Sequence, residues 1–203
     1  MKKFLLSAAI SFLLLFPLAA KNLDFYWDFG TVFAGGNLAF NNPSDGKGQP
    51  AAVKLFGEFD AQLLDFRLEG ENGFLLAFSP FNFRGIFNSP KDDDSSLVTF
   101  ANLTIGYELF KFQENVEIIP YLTVYAAALE GMEKVRFDFG LLFNLYSASI
   151  WPEEIRAADE THHLRGEILA VKAGVRLNQL QPQLYVDLGF NAIALGMAFF
   201  QNK

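Results

Sequence analysis

Between Val135 and Tyr146 the chain reads V-R-F-D-F-G-L-L-F-N-L-Y. Val135, Phe137, Phe139, Leu141, Phe143 and Leu145 are large and apolar, while Arg136, Asp138, Gly140 and Asn144 between them are charged, small or polar. Leu142 is the one aliphatic residue among the polar set. A two-residue period separates such sets onto the two faces of a β-strand, whereas a helix would scatter them around its axis. The run has about the length of a tilted membrane-crossing strand, roughly 9–11 residues. It suits equally one strand of a soluble sandwich or barrel.

The same alternation recurs along the chain. Residues 22–40 open aromatic and β-prone, with Tyr26, Trp27 and Phe29 near one end, as in an interfacial aromatic girdle. Residues 53–68 set Val53, Leu55, Gly57, Phe59, Ala61 and Leu63 against Lys54, Phe56, Glu58, Asp60 and Gln62. At Leu63-Leu64 the parity slips by one, which predicts a β-bulge. Glu69 to Gly73 predict a tight hairpin. Residues 74–87 are less regular and contain Pro80, which a central strand tolerates poorly. Residues 97–110, 116–129, 135–146, 167–178 and 183–200 complete eight predicted strands. The last of them carries Leu184, Val186, Leu188 and Phe190 opposite Tyr185, Asp187, Gly189 and Asn191. Residues 41–50, 88–96 and 147–164 read as loops, the last with a short helix expected over 153–159.

Composition narrows the choice. Phenylalanine occurs 24 times in 203 residues, yet after the first twenty no apolar run approaches the ~18 residues of a membrane helix. Hydrophobicity interleaved with polarity is what a strand-built membrane protein requires, because a bilayer admits only helices and closed barrels. The apolar faces are nearly pure, while the polar faces mix charge with glycine and tyrosine. This favours a transmembrane barrel over a soluble one, whose polarity is reversed. Val135, Phe137, Phe139, Leu141, Phe143, Leu145, Leu184, Val186, Leu188 and Phe190 are the expected lipid-facing set. Lys54, Glu58, Asp60, Arg136, Asp138, Lys172, Arg176 and Asp187 are the expected interior. Eight strands leave room only for side chains, so these charges are expected to pair.

Residues 1–20 read as a secretory signal peptide: Lys2 and Lys3, an apolar core over 4–16, then Leu18-Ala19-Ala20. The barrel domain is therefore expected over 21–203. Loss of the two lysines takes the formal charge from −7 to −9, which argues against nucleic acid as a partner. No cysteine is present, which excludes disulfides and thiolate chemistry.

With its strand count, dyad pattern and leader, the chain resembles the small eight-stranded outer-membrane barrels of the OmpX and OmpW kind. The resemblance implies an all-β, antiparallel up-and-down transmembrane barrel. It also implies contact with outer-membrane lipids and the barrel-assembly machinery. It departs from them at the end, where Gln201-Asn202-Lys203 follow the closing aromatics Phe199-Phe200, and in the long sixth connection.

Candidate chemistry is sparse. His162 and His163 beside Asp159 and Glu160 suit a divalent metal, or with Ser147 or Ser149 and Glu153 an acyl-transfer triad. Adjacent histidines point apart on a strand, however, and a polar loop accounts for them more simply. Asp92-Asp93-Asp94 lack the glycine and closing glutamate of a calcium loop. The expectation is a non-enzymatic outer-membrane barrel without catalytic residues, metal or cofactor. A lipid-modifying barrel enzyme is the second reading, and a soluble periplasmic barrel for a lipophilic ligand the third.

Overall fold

The computed structural model describes residues 23–40, 53–87, 98–112, 116–126, 136–146, 163–164, 167–178 and 181–193. Over them run β1 (Leu23–Phe40), β2 (Val53–Gly70), β3 (Phe74–Phe87), β4 (Val98–Tyr107) and β5 (Phe110–Phe112). Then follow β6 (Val116–Ala126), β7 (Arg136–Tyr146), β8 (His163–Leu164), β9 (Glu167–Asn178) and β10 (Gln181–Asn191). Each long strand pairs antiparallel with the next, and β10 returns to β1, so the sheet closes into an eight-strand barrel. β4 and β5 act as one stave interrupted at Glu108-Leu109, since both pair with β6. Closure satisfies the edge N–H and C=O groups that an open sheet would leave exposed.

The phase of the alternation changes at one level across three neighbouring strands. Gly30 lies at φ +70°, a left-handed conformation that favours glycine. Around it the buried positions of β1 jump from Asp28 to Thr31. In β2 they change from even (Glu58, Asp60, Gln62) to odd (Arg67), where the pairing with β3 shifts on either side of Leu64. In β3 they jump from Ser79 to Asn82, and Pro80-Phe81 lie in the gap. Phe29 pairs with Leu64 and Leu64 with Phe81, so the three irregularities are one feature. Pro80 thus sits in a bulge and leaves the stave continuous.

The two ends differ. At the lower end, where β1 begins, β2 and β3 join through Glu71–Gly73, with Gly73 at φ +86° and its N–H donating to Gly70 O. The Asn72 side chain accepts from Phe74 N–H and completes the turn. β10 leaves β1 at the pair Thr31–Asn191. Below that level β8, from the long connection after β7, pairs parallel to β1 at Tyr26–His163 and Trp27–Leu164. That connection therefore supplies a partner for the edge that β10 leaves. Asn191 Nδ2 ties the seam, donating to Asp28 Oδ1 at 2.5 Å and Phe29 O at 2.8 Å. The expected helix over 153–159 lies outside the described residues.

Side chains are distributed inside out relative to a water-soluble barrel. Leu55, Leu141, Val186 and Leu188 are each more than half exposed, and Phe139, Phe143, Leu184 and Phe190 are also exposed. Aromatic pairs cover the outer surface near both ends: Phe25 with Phe66 and Trp27 with Phe29 below, Phe59 with Phe87 above. Arg136, Arg176, Asp138, Glu117 and Asn144 are almost wholly buried.

Candidate functional site: the barrel interior

The upper half of the interior is filled by one ion network. Alternation along β7 puts Arg136 and Asp138 on the inner face. There Arg136 donates to Asp138 through Nε (2.9 Å) and Nη2 (2.7 Å). Arg176, in register with Asp138 on β9, grips the same carboxylate through Nε and Nη2, both at 2.9 Å. Asp138 thus accepts four charge-assisted hydrogen bonds from two planar forks. Across the barrel Glu58 of β2 takes Arg136 Nη1 at 2.5 Å and Arg176 Nη1 at 2.8 Å. Arg84 of β3 adds contacts to both Glu58 oxygens at 2.9 Å. Asn37 accepts from Arg176 and donates to Glu58, and Asp187 accepts from Arg176 Nη2 at 3.1 Å. The guanidinium groups also lie over aromatic rings, Arg136 at 4.1 Å from the Tyr125 centroid and Arg176 at 4.3 Å from that of Tyr185. Cations, anions and ring faces together make a solid plug. The expected pairing of interior charges is incomplete, because Asp60, buried beside the plug, leaves Oδ1 without a hydrogen-bond partner among the described residues.

Below the plug the Tyr185 hydroxyl meets that of Tyr121, and Tyr121 lines a cavity of about 50 Å³. Its wall includes Asp28, Gln62, Asp65, Asn102, Asn144 and Lys172. Leu142, the aliphatic residue on the polar side of β7, is buried here and also faces the cavity. At the lower mouth Arg67 pairs with Glu69 at 2.5 Å and Glu117 at 3.1 Å, and Lys111 lies 3.7 Å from Glu117. Glu69, Glu108 and Glu117 bring carboxylate oxygens within 4.8 Å of one another. Arg67 and Lys111 offset part of that charge.

Of the residues expected inside, Glu58, Asp60, Arg136, Asp138, Arg176 and Asp187 are buried in the interior. Lys172 reaches inward to stand over the Phe33 ring at 3.5 Å. Phe137, Phe139, Leu141, Phe143, Leu145, Leu184, Val186, Leu188 and Phe190 all lie on the outer face. Val135 and the side chain of Lys54 fall outside the described residues, as do Asp92–Asp94, His162, Ser147, Ser149 and Glu153. Arg84, Asn37, Tyr125 and the mouth cluster were not foreseen. Arg84 lies beyond the phase change at Pro80, which hides its inward parity, and Glu58 meets Arg136 and Arg176 across the lumen rather than along a ladder. No protein-family model, curated protein or solved structure matches the chain.

Proposed function

We propose that the protein is an integral outer-membrane β-barrel with a closed interior, acting without catalysis as a structural or adhesive element or as a path for very small solutes only. One observation carries this reading: the outer surface is a band of exposed phenylalanine, leucine and valine, while arginine, aspartate and glutamate fill the core. In water such a band far exceeds the few hundred Å² of apolar patch that soluble monomers expose. Facing acyl chains it is the ordinary exterior of an outer-membrane barrel, with aromatics toward both interfaces. Among the described residues no helix is long and apolar enough to cross a membrane; on this reading the strands cross it.

On this reading the lower end, with its tight 71–73 turn, faces the periplasm, where turns are short. The long connection after β7 departs from that habit because it returns to pair β8 with β1. Outer-membrane lipids are the solvent of the barrel, and an assembly machinery inserts it after export. Fractionation of cells with a two-membrane envelope tests the proposal. The protein should sediment with the outer membrane, resist a carbonate wash and dissolve only in detergent. Release with the soluble periplasmic proteins would support a soluble barrel instead.

A further inference from the structure

The interior cations are not all alike. Arg67, Arg84, Arg136 and Arg176 each lie at ion-pair distance from a carboxylate. Lys172 has no such partner among the described residues. Its ammonium stands over the Phe33 ring at 3.5 Å and lies 5.8 Å from the centroid of Tyr121. The carboxylate that attracts it most is Asp60, from beyond ion-pair distance. Asp60 is in register with Phe33 on the neighbouring strand and stands one inward position above Gln62 of the cavity wall. Its Oδ1 is buried and accepts from no described residue. Lys172 and Asp60 therefore both neighbour Phe33 as opposite charges with no ion pair between them.

A third group in the same region lacks a partner. Asn102 lines the cavity from β4 and is only 3% exposed, yet its Nδ2 donates to no described residue. The other carboxylates of the wall are already engaged. Asp28 accepts from Phe29, Thr31 and Asn191, Asp65 accepts from Ser79, and both have further partners. The polar demand left in the cavity thus comes from two donors, Lys172 and Asn102, and one acceptor, Asp60. Leaving such groups buried and unanswered is costly, and ordered water is their usual partner where protein atoms do not reach. A cavity of about 50 Å³ has room for roughly three to five waters. An anion would answer both donors but would meet Asp28 and Asp65 in the wall, and it could give nothing to Asp60. Water accepts and donates at once.

From these features we infer that the cavity is a site for a cluster of bound water that accepts from Lys172 and Asn102 and donates to Asp60 Oδ1, joining Lys172 and Asp60 as a water-bridged ion pair. This goes beyond the proposed function, and it stands whether or not the outer face meets lipid.

The test is a high-resolution crystal structure of the purified full barrel, grown without glycerol or other small polar additives. Waters should lie at about 2.7–3.2 Å from Lys172 Nζ, Asn102 Nδ2 and Asp60 Oδ1, and one chain of them should connect Lys172 to Asp60. A dry cavity, an ion in it, or a direct Lys172–Asp60 contact would overturn the inference. Urea refolding midpoints of Lys172→Met, Asp60→Asn and the double variant test the bridge separately. Each single change strands the other charge, so the double variant should lose less stability than the two single losses added together. Strictly additive losses would overturn the bridged pair.

Discussion

Glu58 holds the plug together, because three arginines from three strands converge on its two oxygens. Glu58→Ala strands Arg84 in a closed interior and leaves Arg136 and Arg176 to share Asp138, with Asp187 beside Arg176. Stranding buried charges in this way costs about 3–5 kcal/mol. Arg84→Ala should cost less, since Glu58 keeps Arg136 and Arg176. Urea midpoints of barrel refolding in detergent will rank the two variants, and a larger loss from Arg84→Ala than from Glu58→Ala would contradict this role for Glu58. The Arg136–Asp138–Arg176 side of the network was legible in the sequence, because adjacent strands place these residues at similar depth and two-residue spacing keeps them on one face. Glu58's arginine partners were not legible. Arg136 and Arg176 lie across the lumen, and cross-lumen distance depends on how the barrel closes, which no local pattern encodes; Arg84, on the neighbouring strand, is hidden by the phase change at Pro80.

At the scale of the strands, alternation gave most of the architecture, and its failures mark the shared bulge. The slip at Leu63-Leu64 was visible because leucines stand on both sides of it. The matching slips at Gly30 and Pro80 were not: one is covered by a run of aromatics, and the other resembles a strand break. β8 carries only two paired residues, too few for any period to show. The bulge yields a comparison between two glycines of β1. Gly30 lies at φ +70°, whereas a methyl group on Gly36 meets only Leu55 Cδ1, at an ordinary 3.8 Å. Gly30→Ala should destabilise the barrel by about 1–2 kcal/mol, the left-handed penalty for a residue with a Cβ. Gly36→Ala should change the refolding midpoint little. Equal effects would mean that Gly30 is not fixed in the left-handed conformation.

For the whole molecule, the plug and the outer surface make separate claims. An upper half closed by paired charges leaves no continuous aqueous path, in contrast to porins, whose 16–18 strands enclose a channel. Purified protein in planar bilayers should give no large steady conductance, and Glu58→Ala with its disrupted plug should give more frequent openings than the wild type. Large ohmic channels from the wild-type monomer would show that the plug does not close the lumen. The claim on which the rest depends is that the apolar face meets acyl chains. The chain has no cysteine, so single cysteines along β7 can carry a fluorescent label in an otherwise native background. With the protein refolded into vesicles containing brominated lipid, labels at Phe139, Leu141 and Phe143 should be strongly quenched, and labels at Leu142 and Asn144 should not. A two-residue period of quenching in that phase is the predicted result; uniform quenching, none at all, or the opposite phase would contradict the account.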